Sequence, residues 1–432
     1  MTEHNESRPV AATAEAVAPG EVDPQKLPVW KMVGPGIVSA ATGVGGADLV
    51  ATLIAGQRYG YALLWAAIFG TFIKIMLVEG VGRYVLATGH TMFHGWRTLG
   101  RWTTWYFGPY IVIWGFVYGA AAMAGVGLPL VALFPGSKLL MWAIINVALG
   151  FALTWLGRYA IFEKIVTALV GLMFLTVVGL ATLSLRNLPE IVRGLIPMLP
   201  ADSFIYVMSL AGGIGGTITL AAYGYWMREK GWTKPTWMRV MRVDNTTGYI
   251  ITGIFVVSTL IMGGDLLYTA SITLSSGEEA LIDFADVLGA RYGDTFATIF
   301  LIGFWAASFS SLLGVWNGVS LMFADFIGHV RGIPENDPST ETGGKYYRMY
   351  LLWLTFPPLI LIFLGKPTYL IIAYNVLGAF FMPFLALTLL LLLNRKDFPK
   401  ERRNGPLTNA ILVVILLIFV VLCGNQLVGL FT

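Results

Sequence analysis

Charged residues are scarce in this chain, at 12% of 432 residues, whereas roughly a quarter is typical of a soluble domain. Hydrophobic residues make up 56% of the sequence, and the mean hydropathy is +0.73. Apolar runs of about 20 residues, enough to cross a bilayer, recur from Val33 to the C-terminus. The composition excludes an ordinary soluble domain and predicts an all-α polytopic membrane protein.

Other absences narrow the function. The single cysteine, Cys423, excludes an internal disulfide. The sequence has no zinc or haem ligand spacing and no P-loop, so we expect no cofactor and no ATP hydrolysis. We find no nucleophile paired with a base and no histidine in a predicted span, so we do not expect an enzyme. The net charge of +4 does not indicate a nucleic-acid partner.

Eleven apolar segments are predicted to span the membrane. They cover residues 35–56, 61–87, 105–133, 138–157, 162–185, 203–227, 244–263, 294–325, 347–365, 367–393 and 408–430. Residues 1–30 lack a compact apolar core and are predicted to be a disordered cytoplasmic tail. Residues 31–432 are predicted to form one domain embedded in the lipid bilayer.

The positions of Lys and Arg predict the orientation of the chain. With the N-terminus in the cytoplasm, 21 of the 28 Lys and Arg residues fall on the inner side and 6 on the outer side. A missed or extra helix would mix the two sides, so the asymmetry also supports eleven spans. We therefore expect a multi-pass protein of the cell (plasma or inner) membrane with a cytoplasmic N-terminus and an extracytoplasmic C-terminus.

Two glycine-rich interruptions are the most informative pattern in the chain. Residues 42–48 contain three glycines and interrupt the first span, and residues 212–217 contain four and interrupt the sixth. Unwound backbone within a membrane is tolerated only where protein or a water-filled cavity satisfies it. Paired breaks of this kind indicate the substrate site of a secondary transporter.

The two breaks lie five spans apart, which predicts an internal repeat. An odd number of helices in each repeat gives the two repeats opposite topology. Residues 33–186 and 200–394 are therefore predicted to be inverted repeats, with residues 407–431 as an additional helix. Because one chain would carry the whole arrangement, we expect it to function as a monomer.

Several motifs follow one another in an order that is similar to the NRAMP family of divalent-metal transporters. A Gly-Pro-Gly opening at residues 34–36 precedes a Gly-Tyr-Ala-Leu-Leu-Trp entry into the second span at residues 60–65. Further matches lie at residues 83–89, 194–197, 306–311 and 382–384. The resemblance implies a LeuT-type fold of about eleven helices, a 5+5 inverted repeat plus one, with helices 1 and 6 unwound in mid-membrane. It also implies transport by alternating access.

The family's metal-binding motifs are altered in this chain. Where the family has Asp-Pro-Gly-Asn in its first break, residues 45–48 contain a single acid, Asp48, at the position of the Asn. Where the family has Met-Pro-His in its sixth helix, residues 219–221 begin with Thr219 and contain neither thioether nor imidazole. Asn375 stands at the position of a supporting Gln.

Only oxygen donors remain near the two breaks. The candidate substrate contacts are Gly45, Asp48, Gly215, Gly216, Thr217, Thr219 and Asn375. Oxygen ligands suit Mg²⁺ or Mn²⁺, whereas thioether and imidazole suit softer metals. The preferred interpretation is a transporter of a small cation, most simply a hard divalent metal ion, with Asp48 and Asn375 as metal ligands.

Two alternatives stay open at this point. Asp48 is also well placed to cap the helix that resumes after the first break, without any contact with a substrate. In addition, a half-helix N-terminus that faces a cavity binds anions. An amino acid or another small organic solute is therefore the second candidate substrate.

Three ionisable residues share the second span. Glu79 and Arg83 are four residues apart and are expected to pair, whereas Lys74 lies off their line and needs a partner elsewhere. The three residues are candidates for a structural ion network or a proton path. Residues 114–130 of the third span hold no charged residue, so the coupling ion is expected to be H⁺ or absent.

A few other residues carry weaker expectations. Asp244 is expected to cap the seventh span, and Asn317 is a candidate for lining the cavity. Tyr223 and Trp226 follow the second break and are expected to pack or to contact an organic substrate. Three histidines fall in predicted inner loops and indicate no site: His90, His94 and His329.

Overall fold

The computed structural model describes residues 24, 27–28, 32–213, 215–270, 272, 279–335, 337–363 and 367–431. Within these ranges the protein is predominantly helical and contains no β-strand. Apart from residues 24, 27 and 28, the predicted disordered tail at residues 1–30 lies outside the described residues.

The described ranges form eighteen α-helices, several of them short. In chain order these are α1 Pro35–Thr42, α2 Gly46–Tyr59, α3 Leu64–Thr88, α4 Met92–Thr98, α5 Arg101–Leu133, α6 Leu139–Trp155, α7 Tyr159–Met173, α8 Gly179–Ala181, α9 Leu188–Arg193, α10 Phe204–Met208, α11 Thr219–Glu229, α12 Met238–Gly263, α13 Glu279–Tyr292, α14 Asp294–Arg331, α15 Lys345–Thr355, α16 Leu359–Phe363, α17 Pro367–Leu393 and α18 Pro406–Phe431. Three π-helical turns extend α7, α10 and α12: Phe174–Val178, Ser209–Gly213 and Gly264–Tyr268.

Helices occupy all eleven segments that were predicted to span the membrane. Among the described residues, six continuous stretches are long and apolar enough to cross a bilayer: Leu64–Thr88, Arg101–Leu133, Tyr159–Ser184, Pro235–Tyr268, Asp294–Arg331 and Lys345–Phe363. Three shorter apolar helices are Leu139–Trp155, Phe380–Leu393 and Pro406–Val421. The first and sixth segments are interrupted, at the positions that the glycines predict.

The two interrupted segments lie inside the bundle. α12 packs against α3, α1 and α2, and α14 packs against α5, α7 and α15. The half-helix α1 contacts both α12 and α14, and the half-helix α11 contacts α3 and α14. Protein therefore surrounds the unwound backbone, which is the condition for tolerating it at membrane depth.

Large apolar side chains also cover the outside of the bundle. Trp105 on α5 and Leu175 in the first π-helical turn are each 76% exposed. Extensive apolar surface of this kind is unfavourable in water, and it fits a lipid environment. The distribution of apolar residues is that of an integral membrane protein.

The interpretation of Asp244 as a cap for its own helix was wrong. α12 begins at Met238, so Asp244 lies within that helix and is fully buried. Its two carboxylate oxygens accept hydrogen bonds from the backbone N–H groups of Gly34 (2.7 Å) and Gly36 (2.6 Å). Asp244 therefore caps the start of α1. The N–H groups at the start of a helix need an acceptor, and here a residue distant in the sequence supplies it.

Candidate functional site

The two helix breaks are joined directly by their backbones. The Gly215 N–H donates a hydrogen bond to the Gly43 carbonyl over 2.7 Å. Gly215 adopts a φ of +95°, which a residue with a side chain rarely takes. A Cβ on Gly43 would lie 2.2 Å from the carbonyl carbon of Gly215, so only glycine allows this approach. The glycine pattern is thus explained by contact between the two breaks.

Asp48 caps α2 and also keeps one oxygen unpaired. It lies in the first turn of α2 and is 2% exposed. Its Oδ2 atom accepts a hydrogen bond from the Gly45 N–H at 2.8 Å. Its Oδ1 atom is buried with no hydrogen-bond partner among the described residues. A buried carboxylate oxygen without a partner is unfavourable, so it is a strong candidate for contact with a bound cation.

A small cavity lies next to Asp48. It has a volume of about 10 Å³, close to one water molecule. Its lining residues come from the first break and from α5, α14 and α17: Gly45, Gly46, Asp48, Tyr118, Ala121, Ala122, Ser308, Ser311 and Tyr374. The polar side chains in this set carry oxygen only, in one carboxylate and four hydroxyl groups.

Serine hydroxyls connect the cavity wall to the first break. Ser311 Oγ donates a hydrogen bond to the Thr42 carbonyl at 2.8 Å and satisfies one of the free carbonyls at the end of α1. Ser308, one turn earlier on α14, bonds to the carbonyl of Phe304 at 2.9 Å. Tyr118 approaches the Ser311 carbonyl from α5 at 3.3 Å. The scaffold helices therefore hold the break in place.

Lys74 lies beside the second break and not in the Glu79–Arg83 pair. It is 1% exposed, and its ammonium group donates to the Gly212 carbonyl and lies 3.7 Å from the sulfur of Met382. Its aliphatic chain lies 3.4 Å from the position of a Cβ on Gly215. When protonated, Lys74 would attract Asp48 and repel a cation substrate.

The predicted residues of the second break do not line the cavity. Thr217 and Thr219 are 2% exposed, and their hydroxyl oxygens have no hydrogen-bond partner among the residues described. Gly215 and Gly216 contact the first break from the opposite side, with Gly43 near both. The side chain of Asn375 lies outside the described residues, although α17 brings the adjacent Tyr374 to the cavity.

Glu79 and Arg83 form an ion network at one end of α3. Glu79 Oε2 lies 3.2 Å from Arg83 Nε, and Glu79 Oε1 lies 3.1 Å from Arg242 on α12. Arg83 also donates to the Asn404 side chain at 2.7 Å and to the Arg402 carbonyl at 3.1 Å. The network joins α3, α12 and the segment that precedes α18.

The aromatic residues after the second break are used in packing. Tyr223 donates a hydrogen bond to Asp244 at 2.9 Å, and Trp226 donates to Asn317 at 2.8 Å. Asn317 in turn donates to the Tyr347 hydroxyl at 3.2 Å. All of them are buried, and none is among the residues that line the cavity beside Asp48.

Sequence reasoning missed four hydroxyl groups of the cavity: Tyr118, Ser308, Ser311 and Tyr374. The two serines are three residues apart, so they share one face of α14. That spacing of small polar residues in a long apolar helix was the available signal. Tyr118 and Tyr374 gave no such signal, because aromatic residues in apolar helices usually pack.

The helices and the paired breaks have the architecture of a LeuT-type fold. A crystal structure of a point mutant of a manganese transporter from Eremococcus coleocola superposes with a TM-score of 0.73, covering 96% of this chain and 90% of that chain at 15% identity. The structure of MhsT in complex with L-phenylalanine gives a TM-score of 0.53, covering 89% and 98% at 15% identity. These likenesses establish the architecture.

The family model "Natural resistance-associated macrophage protein-like" (Nramp) matches residues 36–429. The chain belongs to this family. A curated relative, the divalent metal cation transporter MntH of Mycobacterium leprae, is 24% identical over 421 residues, which cover 91% of each protein. The resemblance based on the order of motifs is confirmed, and the matched region reaches into α18.

Proposed function

We propose that this protein transports a small, hard divalent cation, Mg²⁺ or Mn²⁺, through the cavity beside Asp48. The observation that carries the proposal is the buried, unpartnered Oδ1 atom of Asp48 at a cavity with only oxygen donors in its polar side chains. Oxygen ligands favour Mg²⁺, Ca²⁺ and Mn²⁺ over softer metals. The MntH relative is named as a divalent metal cation transporter, which supports the same class of substrate.

The size of the cavity favours an ion over an organic solute. A volume of about 10 Å³ holds one water molecule or one ion, whereas pockets for organic ligands are on the order of 300 Å³ or larger. In the state described here, an amino acid would not fit beside Asp48.

The cap on α2 argues against an amino acid for a second reason. A substrate carboxylate would need the free N–H groups at the start of the half-helix. Asp48 Oδ2 already accepts from the Gly45 N–H at 2.8 Å and adds a negative charge at the same place. A second carboxylate would be repelled, whereas a cation would be attracted.

Alternating access would use the two interrupted segments together. α1, α2, α10 and α11 are linked at the breaks by the Gly215–Gly43 hydrogen bond, so they are suited to move as a unit against α5, α14 and α17. We also propose that residues 33–186 and 200–394 are inverted repeats within the domain. Because one chain supplies both breaks and every described wall of the cavity, we propose a monomer as the functional unit.

Glu79 is poorly suited to carry a coupling proton, because Arg83 and Arg242 occupy both of its oxygens. We propose that any coupling to H⁺ does not pass through the Glu79–Arg83 pair. A pH gradient imposed across proteoliposomes tests this, since Glu79→Gln should leave the response of cation flux to the gradient unchanged.

The direction of insertion is also a proposal. The Lys and Arg distribution supports a cytoplasmic N-terminus and an extracytoplasmic C-terminus in the cell (plasma or inner) membrane. The Glu79–Arg83 network and the basic residues 395–403 would then lie on the cytoplasmic side.

The test is cation flux into proteoliposomes with Mg²⁺, Mn²⁺ and Ca²⁺ for the wild type and Asp48→Asn. The amide keeps one oxygen as acceptor for the Gly45 N–H, removes the charge and replaces the other oxygen with an NH₂ group, so the cap and the fold should persist. We expect uptake to fall by at least about 100-fold, because the variant loses a buried, charged ligand. A 100-fold change corresponds to roughly 2.7 kcal/mol. Unchanged uptake would overturn the proposal. Uptake by Asp48→Ala, which also removes the acceptor for the Gly45 N–H, would then show whether transport depends on the helix cap.

A further inference from the structure

Three of the four histidines of the sequence meet at one end of the bundle. His90 precedes α4, His94 lies within it, and His329 lies in the last turn of α14. The rings of His90 and His94 stack with centroids 3.9 Å apart and planes 7° apart. The rings of His94 and His329 lie 5.7 Å apart. Residues that indicated no site in the sequence therefore form a single cluster.

The carboxylate of Glu335 faces all three imidazoles. Its Oε2 atom lies 3.0 Å from His90 Nδ1, and its Oε1 atom lies 3.2 Å from His94 Nδ1 and 4.0 Å from His329 Nε2. The Oε1 atom is shielded from solvent and makes no hydrogen bond within the described part of the chain. An acceptor in that position is available to a cation.

The distances suit a transition-metal ion. The ligand atoms of His90, His94 and Glu335 all lie within 4.8 Å of one another. A tetrahedral site with metal–ligand bonds of about 2.0–2.1 Å places its ligand atoms roughly 3.3 Å apart.

A second layer of hydrogen bonds orients His329. Its Nδ1 atom lies 3.0 Å from Asp325 Oδ1, which leaves Nε2 directed toward Glu335. Asp325 Oδ2 accepts from the Tyr225 hydroxyl of α11 at 2.6 Å. A carboxylate that fixes the ring of a histidine is the usual support for a metal ligand.

We propose that His90, His94, His329 and Glu335 form a binding site for a transition-metal ion of the Zn²⁺ class, separate from the cavity beside Asp48. Two or three imidazoles with one carboxylate are a typical zinc ligand set. Glu335 also lines a second cavity of about 360 Å³. Three further carboxylates line this cavity, Asp325, Glu229 and Glu341, against one guanidinium, Arg228, so the balance of charge favours cations. This inference does not depend on the proposed function.

The test is isothermal titration of the purified full-length protein, freed of any affinity tag, with Zn²⁺. Asp48→Asn serves as the background, so that the central cavity does not contribute. We expect one Zn²⁺ per chain in this background. The double variant His90→Ala/His94→Ala should lose at least about 30-fold in affinity for Zn²⁺. Asp325→Asn should lose about 10-fold, because Asp325 no longer orients the ring of His329.

A matched control is His4→Ala, because His4 is the remaining histidine of the sequence. It should bind Zn²⁺ as the background protein does. Glu335→Gln keeps the volume of the side chain and provides a second test if the double variant unfolds. The visible absorption of Co²⁺ in the same variants reports coordination directly. The proposal would be overturned if the background protein did not bind Zn²⁺. It would also be overturned if the double variant and Glu335→Gln both bound Zn²⁺ as tightly as the background protein does.

Discussion

The protein carries two polar clusters of opposite chemical character. The cavity beside Asp48 lies within the bundle and offers carboxylate and hydroxyl oxygens. The cluster around Glu335 lies at one end of the bundle and offers imidazole nitrogens with one carboxylate. Ligand type separates hard from softer cations. One chain therefore holds a site suited to Mg²⁺ or Mn²⁺ and another suited to Zn²⁺, so the selectivity of each should be tested separately.

The two clusters also differ in the charge that surrounds them. The central carboxylate shares its buried region with the ammonium group of Lys74, which bonds to the Gly212 carbonyl. The outer cluster adjoins a cavity with several carboxylates. A fixed positive charge close to a cation site weakens binding, whereas added negative charge strengthens it. A protonated Lys74 would thus oppose tight binding of a cation at the central site.

Among the neighbours of Asp48 in the central region, the largest effect is expected from removal of the Lys74 charge. Lys74→Gln keeps a donor for the Gly212 carbonyl and should tighten Mn²⁺ or Mg²⁺ binding at least about tenfold, or about 1.4 kcal/mol. The dissociation constant measured by titration calorimetry checks this prediction. Lys164→Gln is the matched control, since Lys164 is exposed on α7 and should leave the affinity unchanged. Weaker binding in Lys74→Gln would show that the ammonium supports the site.

A smaller effect is expected from the hydroxyl groups of α14. Ser308→Ala combined with Ser311→Ala removes two oxygens from the cavity wall and should reduce Mg²⁺ and Mn²⁺ flux several-fold, since each neutral hydrogen-bonding group contributes about 1 kcal/mol. Flux in proteoliposomes is the measurement. Ser320→Ala provides the control, because Ser320 is buried on the same helix and has no hydrogen-bond partner among the described residues. Equal flux in all three proteins would place the substrate away from α14.

Much of the fold follows from local features of the sequence. Long apolar runs predicted the segments, and the glycines at 43–46 and 212–216 placed both breaks, because a break is a property of a few adjacent residues. Asp48 was found for the same reason: a single carboxylate in an apolar span is conspicuous.

The cavity wall and the outer cluster depend on contacts across the chain. Tyr118, Ser311 and Tyr374 come from three helices that only the packed bundle brings together. His90 and Glu335 are separated by 245 residues, and no local pattern joins them. Asp244 likewise caps a helix that begins about 210 residues earlier. Such pairings are set by tertiary packing, so sequence spacing alone did not reveal them.

The smallest effect on cation flux is expected from the histidines of the outer cluster. A change close to zero would show that the two clusters work independently. The double variant His90→Ala/His94→Ala should change Mg²⁺ or Mn²⁺ flux by less than about twofold, while it weakens Zn²⁺ binding at least about 30-fold. The two cavities share no lining residue, and sites with no shared partner behave independently. Flux and Zn²⁺ titration on the same preparations measure both properties. Asp48→Asn should give the reverse pattern. A large loss of flux in the histidine variants would place the cluster on the route of the transported ion, because Tyr225 links it through Asp325 to the half-helix α11.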